Sequence, residues 1–113
     1  LLLLPLETIQ QLNREGWPVE AGDLGENITT QGIAYNSFAI GKIYRVDQAE
    51  IQITETCTPC SNLQILPYVG AEQLTAFMNS LCPTKPQNRR GWYARVLKEG
   101  LVRRNDGIEE ILQ

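Results

Sequence analysis

The segment from Ala39 to Ile53 narrows the possible folds more than any other part of the chain. Apolar and polar residues alternate there at a period close to two, with Ile43, Tyr44, Val46, Ile51 and Ile53 interleaved with Lys42, Arg45, Gln52 and Thr54. A period of two places one set of side chains on each face of an extended strand. The pattern breaks near Asp47 to Ala49, so we predict two strands that turn at that point.

Two amphipathic segments predict short helices. Pro5 to Glu15 begins with a proline, which suits the first turn of a helix, and is followed by Gly16. Ala71 to Leu81 carries apolar residues at helical spacing. Residues 17 to 35 are rich in turn-forming residues and have no regular apolar period, which predicts a structured loop.

Further short strands are predicted towards both ends of the chain, at Leu1 to Leu4, Trp92 to Leu97, Leu101 to Arg103 and Ile108 to Leu112. The sequence contains no repeat and no linker, so we expect residues 1–113 to form a single domain. The predicted fold is mainly β (α+β), a small β-barrel-like sheet with two short helices. Because the chain begins abruptly on four leucines, we expect the domain to be N-terminally truncated.

Charge and residue content argue against several classes of function. A formal net charge of −3 argues against a nucleic-acid-binding surface. The chain has no histidine, which excludes Ser-His-Asp and Cys-His nucleophile pairs and histidine-ligated metals.

The four leucines at the start fall far short of the roughly 20 apolar residues of a membrane span. Three cysteines do not make a secreted disulfide framework, so we expect a cytoplasmic protein with no membrane partner.

The pair Cys57 and Cys60 follows a predicted strand and is the strongest chemical signal in the sequence. Two thiols at this spacing suit a redox dithiol, half of a metal site, or one working thiolate beside a bystander. Pro67 and Gly70 interrupt the helix that a thioredoxin-like dithiol would need, and Cys82 is the only further thiol for a zinc site. Small cysteines that fill the core remain the commonest explanation of the spacing alone.

A glycine-rich segment and an arginine pair have the chemistry to bind an anion. Residues 22–30 contain two glycines, an asparagine and two threonines, whose backbone N–H groups and hydroxyls can surround an anion. Arg89 and Arg90 precede an aromatic pair, and guanidinium groups bind phosphate bidentately. Tight turns and a charged loop explain the same residues equally well. Arg103 and Arg104 are expected to be solvated.

In their order along the chain these segments resemble the MOSC family. The resemblance rests on Gly-Asp-Leu-Gly-Glu-Asn-Ile-Thr-Thr-Gln-Gly-Ile at residues 22–33, the strand ending at Thr54, Pro59-Cys60, and Gly-Trp-Tyr-Ala-Arg-Val-Leu-Lys-Glu-Gly at 91–100. It covers nearly the whole chain, and the combination is far more specific than any one motif. It implies a mostly β, barrel-like fold whose pocket binds the pyranopterin molybdenum cofactor, molybdopterin.

The resemblance also implies roles for individual residues. Cys60 matches the cysteine of the family's Pro-Cys motif, which makes it the expected metal ligand and catalytic thiolate, with Cys82 as the second candidate and Cys57 as the third. The residues expected to bind the cofactor are Gly25, Glu26, Asn27, Thr29, Thr30 and Arg90. The family usually carries a His-Gly-Gly segment upstream of this region, and this chain has no histidine, so part of the pocket is expected to be missing.

Two functions follow from the resemblance. The first is reduction of small N-hydroxylated compounds, such as hydroxylamino-purines and amidoximes, by a cysteine-ligated molybdenum. Its electrons would come from an external donor protein, since the sequence has no flavin, haem or iron–sulfur motif. The second is a non-catalytic carrier function. The protein would carry either sulfur, as a persulfide received from a sulfur donor, or the cofactor itself. An inert fold that binds neither is the third possibility.

Overall fold

The computed structural model describes residues 1–58, 61–82 and 88–112. In these residues the chain forms six strands and two helices, in the order β1 (Leu2–Pro5), α1 (Leu6–Arg14), β2 (Ile28–Thr30), β3 (Ile43–Val46), β4 (Ala49–Thr56), α2 (Gly70–Leu81), β5 (Trp92–Lys98) and β6 (Ile108–Ile111). Short 3-10 helices lie at Tyr35–Ser37 and Ser61–Ile65. Neither described α-helix has the length and apolar character that crossing a bilayer requires.

The alternating segment folds as predicted. β3 and β4 form an antiparallel pair whose register places Val46 opposite Ala49 and Tyr44 opposite Ile51. Asp47 takes a positive φ of 54° in the turn between them. Both predicted helices and the strand that begins at Trp92 are also present, which confirms a mainly β fold with two short helices.

Two of the predicted elements were wrong. Leu101–Arg103 is not a strand. Its end enters a turn in which the Arg103 N–H donates to the Asp106 carboxylate at 2.7 Å and the Arg103 carbonyl accepts from the Asp106 N–H at 3.1 Å. The predicted loop at 17–35 contains β2, a strand of only three residues whose partner β1 lies 25 residues earlier. Neither feature has a local sequence signal.

One curled sheet contains all six strands, in the order β2-β1-β5-β4-β3-β6. β1 and β2 run parallel, with Leu3 opposite Ile28 and Pro5 opposite Thr30, and the remaining pairs are antiparallel. Residues 27–31 around β2 and residues 102–108 before β6 line the same cleft, so the two outer strands approach each other across it. The sheet is therefore a half-barrel.

Apolar side chains form two cores on opposite sides of β1. Leu4 packs with the helices, in a cluster completed by Ile9, Leu12, Val19, Leu24, Leu63, Val69, Phe77 and Leu81. Leu3 packs inside the curled sheet, with Phe38, Tyr44, Val46, Ile51, Ile53 and Ala94. Because neighbouring residues of a strand point to opposite faces, two consecutive leucines serve both cores.

A close backbone approach at Gly91 holds β1 against β5. A Cβ atom at Gly91 would lie 2.8 Å from the Leu3 carbonyl oxygen and 2.9 Å from Leu2 Cδ1, and the residue has a φ of +126°. The Gly91 carbonyl accepts a hydrogen bond from the Cys57 N–H at 2.8 Å, which ties the end of β4 to the same point. Only glycine fits at this junction.

Replacing Gly91 with Ala is therefore expected to destabilise the protein strongly. The strained φ and the clash with Leu3 predict a loss of at least about 2 kcal/mol in the free energy of unfolding. Urea unfolding measures it, with Gly107→Ala as the control, because a Cβ there meets nothing within 4 Å. The control is expected to change stability by less than about 0.5 kcal/mol. Equal stabilities of the two variants would contradict this account of the junction.

Candidate functional site

The glycine-rich segment and Arg90 meet at one end of the sheet. β2 places Thr30 beside Pro5 at the end of β1, and Gly91 holds the start of β5 next to the same strand. Arg90, which directly precedes this glycine, donates a hydrogen bond from Nη1 to the Leu24 carbonyl. This bond joins two segments that lie more than sixty residues apart in sequence.

Three buried polar atoms in this region have no hydrogen-bond partner. Among the described residues, the buried side-chain nitrogen and oxygen atoms without a partner are Glu26 Oε1, Thr30 Oγ1 and Arg90 Nε. Their side chains are buried, with relative exposures of 8%, 4% and 7%. An unpaired buried polar group costs about 1–3 kcal/mol, and such groups in a folded protein call for a specific explanation. All three residues belong to the predicted cofactor-binding set.

A cleft of about 720 Å³ lies between β2 and the turn that precedes β6. Its lining comprises Leu6, Ala21, Asn27, Ile28, Thr29, Thr30, Gln31, Val46 and residues 102–108. The volume falls within the range of small-molecule sites, roughly 300–1,000 Å³. Asn27, Thr29 and Thr30 of the predicted set line this cleft, whereas Gly25, Glu26 and Arg90 do not.

Two members of the predicted set have defined structural contacts. Gly25 has a φ of +83°, and its N–H donates to the Gly22 carbonyl at 3.0 Å in a tight turn. The Asn27 side-chain oxygen accepts from the Leu2 N–H at 2.8 Å, and the Asn27 N–H donates to the Leu2 carbonyl at 2.8 Å. These bonds fix the loop against β1 and so set the position of Glu26, Thr29 and Thr30. Cofactor contacts of Gly25 and Asn27 themselves stay a prediction.

Glu26 forms a polar pair with Thr29, which lines the cleft. The Thr29 hydroxyl donates to Glu26 Oε2 at 3.3 Å, which leaves Oε1 as the unpaired carboxylate oxygen. A carboxylate oxygen is an acceptor only, so the partner that Oε1 lacks is an N–H or O–H donor.

The three cysteines differ in what the structure establishes about them. Cys60, the expected metal ligand, lies outside the described residues. Cys57 is buried at the end of β4, and its thiol donates to the Tyr93 hydroxyl at 3.3 Å. Cys82 follows α2 and is half-buried, and neither it nor Cys57 is in a disulfide. In the described part of the chain, no group of three or more cysteine and acidic side chains is arranged to hold a metal ion.

Tyr35 is a half-buried, hydrogen-bonded residue that the sequence interpretation missed. Its hydroxyl accepts from the Gly91 N–H at 3.0 Å and donates to the Gly91 carbonyl at 3.2 Å. Burial raises the pKa of Tyr35 to about 12, so the phenol stays neutral at physiological pH. A tyrosine in a turn-rich segment gives no sequence signal of this contact.

If the Thr30 hydroxyl is unpaired because its partner is a ligand, removing the hydroxyl should stabilise the ligand-free protein. Thr30→Val replaces the unpaired hydroxyl with a methyl group and is expected to raise the free energy of unfolding by about 1 kcal/mol. Thr29→Val is the matched control, since it removes a hydroxyl that is bonded to Glu26 and should lower stability by roughly 0.5–1.5 kcal/mol. Chemical unfolding of both variants measures the difference. Equal destabilisation by the two changes would mean that the Thr30 hydroxyl already has a partner.

The chain is similar to several known proteins, each about two or more times its length. It is 27% identical over 92 residues to the uncharacterized protein YflK of Bacillus subtilis (strain 168), a match that covers 81% of this chain and 38% of YflK. The crystal structure of YiiM from Geobacillus stearothermophilus superimposes with a TM-score of 0.78 at 28% identity, covering 98% of this chain and 53% of YiiM. YiiM from Escherichia coli shares the fold, with a TM-score of 0.74 at 24% identity over 100% of this chain and 54% of that chain.

The chain therefore spans between 38% and 54% of the length of these relatives. The family model for the MOSC domain matches residues 1–109. This match takes in both elements of the site, the segment that carries Glu26 and Thr30 and the start of β5 with Arg90. The chain belongs to the MOSC domain family.

Proposed function

We propose that this MOSC domain binds the pyranopterin molybdenum cofactor and contributes it to the reduction of N-hydroxylated compounds such as hydroxylamino-purines and amidoximes. The observation that carries the proposal is the set of three buried, unpaired polar atoms on Glu26, Thr30 and Arg90. Membership of the MOSC family supports the choice of cofactor, because the domain is associated with it.

The chemistry of the three atoms fits such a ligand. Glu26 Oε1 needs a donor, and a pterin ring presents N–H groups along its edge. Arg90 Nε is a donor, and Thr30 Oγ1 can donate or accept, so both suit the ring's carbonyl and the oxygens of the cofactor's side chain. A ligand that carries donors and acceptors together offers the groups that these atoms lack, whereas a simple anion has no donor for Glu26.

The protein residues and the cofactor have separate tasks in this proposal. When bound, the cofactor supplies two-electron reduction at its molybdenum. Reduction of an N-hydroxyl group to the amine breaks the N–O bond, consumes two electrons and two protons, and releases water. Arg90, Thr30 and Glu26 bind and orient the pterin, and Cys60 is the proposed thiolate ligand, because a soft thiolate suits molybdenum.

Electrons reach the site from a separate donor protein in this proposal. These 113 residues contain no flavin, haem or iron–sulfur motif that could supply them. Cys57 is a poor choice for the ligand, because its side chain is buried and bonded to the Tyr93 hydroxyl. Cys82, which is half-buried, is the second candidate.

Protein purified from a host that makes the cofactor is expected to carry molybdenum and pterin in near-equal amounts. Cys60→Ser should lose molybdenum, because serine is a harder and weaker ligand than thiolate. Cys57→Ser is the matched control and should retain the metal if the variant is folded. Elemental analysis and fluorescence of the oxidised pterin measure the two contents. Loss of molybdenum in Cys82→Ser instead would move the ligand to Cys82.

Two other outcomes of the same experiment would contradict the proposal. Wild-type protein without pterin or metal, but with sulfane sulfur on a cysteine, would identify a sulfur carrier. Wild-type protein with none of these would identify a fold that binds neither the cofactor nor sulfur.

A further inference from the structure

The turn before β6 presents two arginines to the cleft. Two hydrogen bonds close this turn: the Arg103 N–H donates to the Asp106 carboxylate at 2.7 Å, and the Asp106 N–H donates to the Arg103 carbonyl at 3.1 Å. Asn105 takes a positive φ of 70° within it. Arg103 and Arg104 are exposed, as expected from the sequence, and both line the cleft. The turn therefore fixes the backbone of both cleft-lining arginines.

Neither arginine is neutralised by the described part of the chain. The ion pairs found there join Lys42 to Glu110, Arg45 to Glu109 and Arg89 to Glu15. Asp106 is the acidic residue in the lining, and its carboxylate accepts from the Arg103 backbone N–H. Two guanidinium groups and one carboxylate give the lining a formal charge of +1, although the chain as a whole carries −3.

The rest of the cleft lining has a different character. Apolar side chains contribute much of it, namely Leu6, Ile28, Val46 and Ile108. Thr30 also lines the cleft, is 4% exposed and carries the unpaired hydroxyl. An occupant that matches this lining has an apolar or ring-shaped body with a hydrogen-bonding group, and an anionic group at the mouth.

We propose that the cleft binds a small phosphomonoester, with Arg103 and Arg104 holding its phosphate and the Thr30 hydroxyl bonding to its body. Guanidinium groups match phosphate oxygens bidentately, and bonds of this kind are about twice as strong as neutral ones. The phosphate can belong to a free nucleotide or to the bound cofactor. The assignment to the bound cofactor rests on the function proposed above, whereas the assignment to a free nucleotide does not.

The first arm of the test uses protein made in a host that cannot synthesise the cofactor. AMP is titrated into it by calorimetry, with adenosine as the probe that lacks phosphate. If a free nucleotide is the occupant, AMP binds, adenosine binds far more weakly, and the double variant Arg103→Gln/Arg104→Gln weakens AMP binding at least about tenfold. Arg95→Gln/Lys98→Gln is the matched control, since it removes two exposed positive charges that lie outside the cleft.

The second arm measures pterin in the same variants after expression in a cofactor-competent host. One outcome is that the Arg103→Gln/Arg104→Gln variant loses pterin, the control keeps it, and the first arm shows no AMP binding. The phosphate then belongs to the cofactor. If AMP binding depends on the two arginines and the pterin content is unchanged, the phosphate belongs to a free nucleotide. If the double variant matches the control in both arms, the proposal is overturned. A wild-type protein without pterin would defeat the proposed function alone, because the AMP arm needs no cofactor.

Discussion

The missing side chain at Gly91 is the constraint on which the rest of the structure depends. A Cβ there would lie 2.8 Å from the Leu3 carbonyl, so β1 can reach its place beside β5 only because the residue is glycine. The same backbone bonds to the Tyr35 hydroxyl and to the Cys57 N–H. Three separate parts of the chain, the end of β4, the segment after β2 and β1 itself, are therefore located by one residue.

The position of β1 in turn determines where the residues of the candidate site lie. Leu3 packs in one core and Leu4 in the other, so both faces of the strand are buried. β2 then pairs with β1 in parallel, which buries Thr30. Arg90, next to Gly91, is buried against the Leu24 carbonyl. The packing that stabilises the fold thus removes water from polar atoms that it leaves unpaired, and these atoms carry the proposed function.

Much of this was predictable from local pattern. Alternation between Ala39 and Ile53 indicated β3 and β4, because half-buried strands impose a period of two on the sequence. The motif resemblance brought residues 22–30 and Arg90 into one site, and the structure joins them through Leu24. Glu26 belongs to the same expected set, and its unpaired oxygen is a physical reason to expect a ligand contact there.

The features that could not be predicted depend on contacts between distant segments. β2 has only three residues, and it is a strand only because it pairs with β1. Leu101–Arg103 has the composition of a strand, but the Asp106 carboxylate holds the Arg103 N–H in a turn. Arg103 and Arg104 are exposed as expected, and their place in a cleft follows only from the curl that brings β6 towards β2. The choice of Cys60 as metal ligand still rests on the resemblance.

The most direct test of the central claim compares pterin content in Arg90→Lys and Arg89→Lys, both expressed in a cofactor-competent host. Arg89 bonds to the Glu15 carboxylate and the Ser80 carbonyl, so its replacement disturbs the fold between α1 and α2 without touching the unpaired atoms. Lysine cannot reproduce the Nε donor of Arg90. The account predicts pterin lost in Arg90→Lys and retained in folded Arg89→Lys. Equal retention in both variants would show that the unpaired guanidinium does not bind the cofactor.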